Sequence, residues 1–523
     1  MALGAAAVAV LLHVIFVQHA GALWRDEVNS ANTAASSSIA EMWRRLEFES
    51  TPVLSLLVLR GWHAIGAGAT DAGLRVFGLL GGLALPASIW FAMRRSARAV
   101  PLVSLAILAV NPEVVRWASS VRAWGLGAAL AIVTLALIRD AATSLSRRAL
   151  IWAGCAAVLS VQCVYQNAVF LTAAIAAGVV VALVERRAKV AASLVGIGAI
   201  AALSLVPYLG ILQRRSAWNA LNQGPLTFAM MTDKVWELLW GSGAIVFGCW
   251  AALIAAAVIL LAARLARGWR PSRDADGSSA TFAVVALVAS TLGITLFYLT
   301  FRYPTQSWYY VAILAIVAVC CETILTTVAR TWRGVRLAKV ALTIAVLAAG
   351  LGPAWTSLVV PQTNVDDAAA QLSAQAAPGD LIVVNPWYVA ISFERYYKGQ
   401  VDVVTLPPID DHAIHRFDVV KQDMAATAPI APILARMQHA LETGHKVWFV
   451  GTVGAQAPGS PPARLPPAPL PDSGWALGPY MMAWTLEAGD VLRDHVLGAN
   501  QVPPRFHGWP LEDVTVSVFW GWR

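Results

Sequence analysis

The fold turns on one stretch near the start of the chain. Residues 2–22 read ALGAAAVAVLLHVIFVQHAGA and are followed at once by Leu23-Trp24-Arg25-Asp26-Glu27-Val28-Asn29. The apolar part matches the roughly 20 residues that a helix needs to cross a bilayer. It lacks a basic leading region and exceeds the about 7–15 apolar residues of a secretory signal, so a retained first span is expected. Two carboxylates at the lip of a membrane are costly to desolvate and need a reason to be there. One reading makes Asp26 and Glu27 helix-capping residues that favour the positive N-terminal end of the helix after them. The other makes a carboxylate a base toward a substrate presented from the lipid phase. Both readings are compatible if Glu27 caps and Asp26 does chemistry.

Working outward, the 523 residues are 58% hydrophobic and 13% charged, with a mean hydropathy of +0.63. A soluble domain is about a quarter charged, so this composition is that of an integral membrane protein. Further candidate spans lie at 75–93, 100–115, 123–138, 151–165, 168–184, 190–211, 238–261, 281–301, 309–327 and 338–359. With the first, they make about eleven. The long run from 151 to 184 is broken at Tyr165-Gln166-Asn167. Residues 53–69 are apolar but carry Arg60 and His63, and are expected to lie along the interface.

The net charge of +8 does not point to nucleic acid. The cations gather in short groups between spans: Arg94, Arg95 and Arg98; Arg147 and Arg148; Arg186, Arg187 and Lys189; Arg264, Arg267, Arg270 and Arg273; Arg330, Arg333, Arg336 and Lys339. An interfacial 53–69 segment puts all five groups on one side, which the positive-inside rule assigns to the cytoplasm. The N-terminus is then inside and the polar C-terminal part outside, in an inner membrane. The outer loops become 24–51, 113–122, 166–167, 213–236, 302–308 and everything after Pro361. Residues 30–45 form an amphipathic helix in this reading, with Ile39, Met42 and Trp43 dipping inward.

Two parts follow: a membrane module over 1–360, with an outer first loop at 23–70, and an extracytoplasmic α/β domain over 361–523. In the latter, helices are expected at 366–377, 387–398 and 433–443. Strands are expected at 381–384, 401–405 and 446–451, with a closing strand at 514–519. Their alternation suggests a parallel sheet. The Pro-rich run 457–471 reads as an extended loop. All five cysteines, Cys155, Cys163, Cys249, Cys320 and Cys321, lie in apolar segments, and read as small core residues.

Other outer-loop groups carry chemistry or packing. Glu113 and Arg122 sit in the run from Asn111-Pro112 to Trp124. An outer-face guanidinium at Arg122 can hold a phosphate bidentately, or pair with Glu113 or snorkel. Arg302 and Tyr303, in Phe301-Arg302-Tyr303-Pro304-Thr305-Gln306-Ser307-Trp308, read as belt residues or as part of a phosphate or sugar pocket. Lys234, Arg214 and Arg215 are similar cationic candidates in the preceding loop. His412 and His415, beside Asp410 and Asp411, have metal-like spacing, but an outer-loop position favours solvated side chains.

The chain resembles the GT-C superfamily of polyprenyl-phosphate-dependent glycosyltransferases, on the branch of bacterial relatives of the protein O-mannosyltransferases and the lipid A aminoarabinose transferase. The residues that carry the resemblance are Asp26-Glu27, Thr51-Pro52-Val53-Leu54-Ser55-Leu56-Leu57, Leu74-Arg75-Val76-Phe77-Gly78, and the run from Asn111-Pro112 to Ser119-Ser120-Val121-Arg122-Ala123-Trp124. Val121 stands where the family commonly has Glu, and Trp124 where it commonly has Tyr.

The resemblance implies inverting transfer of a sugar from a polyprenyl-phosphate donor to a lipid, glycan or protein acceptor on the outer face. It implies Asp26 as base, and leaves a divalent metal open. On that reading Glu27 and Glu113 support, Arg122 and Arg302 face the phosphate, and Trp124, Tyr303 and Lys234 complete the substrate-binding set. Two rivals remain: a lipid or polysaccharide transporter, which the lack of an internal repeat disfavours, and a non-catalytic assembly factor.

Overall fold

Long uncharged apolar runs fold as helices in a membrane because every backbone N–H and C=O must be satisfied within the segment. The computed structural model describes residues 1–144, 146–224, 226–266, 275–302, 304–328, 330, 332–503 and 511–523. It divides into two units. The first comprises Met1–His19, Thr51–Gly210 and Gly224–Val359; the second comprises Ala20–Ser50, Ile211–Gln223 and Val360–Arg523. The loop carrying Asp26 therefore folds with the C-terminal region.

The first unit is helical. Among the described residues, nine helices are long and apolar enough to cross a bilayer, from Ala2–His19 to Arg333–Leu358. This is a multi-pass membrane protein. Side chains such as Ile259, Leu292 and Leu296 are left exposed on these helices, as lipid contact allows. One of the expected spans takes another form. Residues 100–115 do not make one span but two seven-residue helices, Val103–Ala109 and Pro112–Ala118. The break has a local cause: Pro112 starts a helix readily but cannot continue one. Asn111 caps the new helix through Val114 N–H at 3.0 Å. The helix Arg147–Cys163, of 17 residues, lies where a span is expected at 151–165. Val53–Ala64 is a short apolar helix of 12 residues, about 18 Å long and too short to span.

Charges inside this unit are paired. Glu322 is fully buried and meets Lys339 at 2.8 Å. It also accepts from the backbone of Leu102 and Ser104 and from the Ser104 hydroxyl. Arg139, also buried, donates to Asp140 and Ser279.

The second unit holds a five-stranded sheet: β1 (Leu381–Asn385), β2 (Asp402–Thr405), β3 (Lys446–Gly451), β4 (Gly498–Val502) and β5 (Val516–Trp520). The spatial order is β2-β1-β3-β5-β4. β1 pairs in parallel with β2 and β3, whereas β5 runs antiparallel to β3 and to β4. The expected all-parallel sheet is thus mixed: the last two strands turn back and close its edge. Helices Val365–Gln375, Ala390–Tyr396 and Ala431–Glu442 fall where expected. The helix Leu477–His495 was not foreseen. The core joins Leu372, Ile382, Val384, Phe393, Trp448 and Val516 with Ala22 from the start of the chain.

Candidate functional site

Asp26 and Glu27 lie in the first turn of the helix Arg25–Ala34, whose N-cap position, Trp24, makes no side-chain cap. Acidic side chains there favour the positive helix end. The expected single helix over 30–45 is in fact two, Arg25–Ala34 and Ile39–Arg45. Ser38 caps the second through Glu41 N–H. Met42 is buried within the protein, while Ile39 is exposed.

The two carboxylates have different surroundings. Glu27 is fully buried. The Asp26 side chain keeps 18% of its surface and meets His415 Nε2 with Oδ1 at 3.0 Å. Its Oδ1 also lies 3.9 Å from Arg25 Nε. Arg25 is turned mainly toward Glu512, donating to it from both backbone N–H and Nη1 at 3.2 and 3.1 Å. The same guanidinium packs over the rings of Tyr388 and Trp24. Burial works against its charge, but Glu512, Asp26 and Tyr388 more than compensate and hold its pKa above the usual value.

His415 and His412 are corrections to the sequence reading, because neither is a solvated loop residue: each is 9% exposed. His412 Nδ1 contacts Glu394, whereas His415 contacts Asp26. Three residues apart in sequence, they serve different carboxylates and do not converge on one ligand. Among the described residues, no three His, Cys, Asp or Glu side chains gather to hold a metal ion.

Three segments of the second unit are held beside Asp26 by a column of rings. Phe48 stacks on Trp218, Trp218 on Phe417, and Phe417 on His415, with centroid separations of 5.8, 5.3 and 5.7 Å. Trp387 meets both His415 and Phe417 edge-on. Arg214 pairs with Glu47 at 2.9 Å, and Arg215 donates to the Glu49 carbonyl. These two cations thus clamp the first loop.

The remaining candidates belong to the first unit. Glu113 pairs with Arg116 and accepts from Trp117 Nε1 at 2.8 Å, so it is not Arg122's partner in this pattern. Arg116, which the sequence reading passed over, is buried and also donates to the Ser357 carbonyl and hydroxyl. Arg122 lies over the Trp124 ring. Trp124 is buried and meets Tyr309 edge-on at 5.3 Å. Arg302 is exposed and adopts a left-handed backbone (φ 51°). Lys234 pairs on the surface with Glu237 at 2.8 Å. Tyr303 lies outside the described residues.

No family model matches this chain, and no curated protein does. Among solved structures, ArnT from Cupriavidus metallidurans bound to undecaprenyl phosphate aligns with a TM-score of 0.53 at 14% identity, over 99% of this chain and 97% of that one. The apo state of the same protein aligns with a TM-score of 0.50 at 15% identity, covering 85% and 91%. The Archaeoglobus fulgidus oligosaccharyltransferase tethered with an acceptor peptide scores 0.49 at 10% identity, over 100% and 74%. At such identities the likeness to ArnT is one of architecture: this chain has the fold of that structure.

Proposed function

We propose that this protein is an inverting glycosyltransferase that moves a sugar from a polyprenyl-phosphate donor to an acceptor hydroxyl at the outer face of the inner membrane. The observation that carries the reading is the Asp26 carboxylate, partly exposed and held against His415, directly after the first span of a fold shared with ArnT. The ArnT structure, bound to undecaprenyl phosphate, supports the donor class.

In this mechanism Asp26 takes the proton of the acceptor hydroxyl as its oxygen attacks the anomeric carbon. The bond from that carbon to the phosphate oxygen breaks, configuration inverts, and polyprenyl phosphate leaves with the bonding electron pair. Arg122 and Arg302 neutralise the charge that gathers on the leaving phosphate. Glu27 adds negative charge beside the base. Glu113 acts at one remove, by fixing Arg116 and Trp117. The donor's apolar tail stays in lipid while the C-terminal region lies outside and guides the acceptor.

The test compares wild type with Asp26→Asn in proteoliposomes supplied with radiolabelled polyprenyl-phosphate sugars and candidate acceptors. Losing a general base costs roughly hundred- to ten-thousandfold in rate. The expected result is transfer by wild type and a loss of that order in a variant that still folds and binds undecaprenyl phosphate. Equal transfer by both would reduce Asp26 to a helix-end charge. Movement of lipid across the bilayer without transfer would establish a transporter.

A further inference from the structure

We infer that His415 is a positioning residue for the Asp26 base, which rests on the reading of Asp26 given above. Its Nε2–H holds one carboxylate oxygen and so fixes the orientation of the group. An ionised carboxylate only accepts hydrogen bonds, so opposite it Nε2 must carry the proton. The contact is 3.0 Å, to Oδ1.

The imidazole is held from every side that could let it turn. Its backbone N–H donates to Asn29 Oδ1 at 2.9 Å, one turn of helix beyond Asp26. Asn29 is itself fixed by its amide on Glu49 Oε1 at 2.8 Å, and the Glu49 carbonyl accepts from Arg215. The ring is stacked on Phe417 and abutted by the edge of Trp387. One helix therefore receives the histidine twice, at its backbone through Asn29 and at its ring through Asp26. A merely space-filling side chain at 415 would not need the ring bond to Asp26.

His415 Nδ1 is buried and has no hydrogen-bond partner among the described residues. Arg25, the other cation near Asp26, lies 3.9 Å from it and is engaged by Glu512. His415 thus gives Asp26 a directional hydrogen bond.

Side-chain geometry supplies the test. The amide nitrogen of Gln reaches as far as Nε2 and can donate to Asp26, whereas that of Asn reaches only as far as Nδ1. The experiment measures transfer, donor KM, undecaprenyl phosphate binding and thermal unfolding for His415→Gln, His415→Asn, His415→Leu and Asp26→Asn in the full-length chain. We expect Leu and Asn to lower kcat by about ten- to a hundredfold, as loss of orientation does. Donor KM should stay within about threefold and Gln should restore most of kcat. If Leu fails to fold, Gln against Asn decides.

Normal transfer by His415→Leu or His415→Asn while Asp26→Asn is inactive overturns the positioning role alone. Loss of kcat in Gln equal to that in Asn does the same. Normal transfer by Asp26→Asn sinks the base reading on which it stands, and is seen separately.

Discussion

Glu322 in the first unit and Asp26 in the second are both carboxylates beside apolar helices, and their surroundings diverge. Glu322 is fully enclosed and answered by an ammonium, two backbone N–H groups and a hydroxyl. Asp26 keeps 18% of its side-chain surface and meets an imidazole whose other nitrogen is unsatisfied. A carboxylate surrounded by donors on both oxygens is fixed in place. Asp26 instead stays partly open, with an imidazole on one of its oxygens. The difference separates a charge that ties helices together from one left partly open to its surroundings.

The comparison can be broken at its strong end first. Asp26→Asn should cost rate at little cost in stability. Glu322→Gln should do the reverse, leaving Lys339 buried without its counter-charge. Removing one partner of a buried pair costs about 3–5 kcal/mol. We expect a large fall in thermal unfolding temperature in detergent and normal transfer per folded molecule. Normal stability with lost transfer would erase the distinction.

Asp423 sharpens it from another side. Its Oδ2 has no hydrogen-bond partner among the described residues, and burial pushes its carboxyl up to about 7 from an ordinary 3.8. Arg464 and Glu487 line the same small hollow. A raised carboxyl pKa favours the folded state while the group is protonated. That contribution is full below the ordinary value and fades as pH rises toward about 7. Melting temperature should therefore decline between roughly pH 4 and 7 in wild type, with a shallower decline in Asp423→Asn. Parallel profiles would show that the burial does not act.

The smallest effect is expected at Lys234. Its pair with Glu237 lies at the surface, where such pairs contribute about 0–1 kcal/mol. Lys234→Ala should leave melting temperature nearly unchanged and raise donor KM by less than about threefold. A rise of tenfold or more would put this ammonium on the donor phosphate.

The legible parts of the sequence were those with local causes. Uncharged apolar runs marked the spans, and Val- and Ile-rich runs marked β1, β2, β3 and β5. Gly498–Val502 (GANQV) has no such pattern, and becomes a strand only because β5 offers it an edge. Asn111-Pro112 did carry a readable signal, a cap followed by a helix-starting proline, but the hydrophobicity around it hid the break. Asp26 was visible through its position after a span, whereas His415 was not. Its partner lies 389 residues away, and no local pattern records a pairing that only the fold creates. The same holds for Trp218 and Phe417, whose stacking joins segments that the sequence keeps far apart.

The ring column has a consequence for the order in which this protein is made. Phe48 leaves the ribosome early, Trp218 well after it, and Phe417 only when most spans have been synthesised. Closing such distant loops is entropically costly until the last member arrives to reward it. During synthesis, the nascent chain therefore carries Asp26 without its histidine, and the two side chains meet only as one of the last events of assembly.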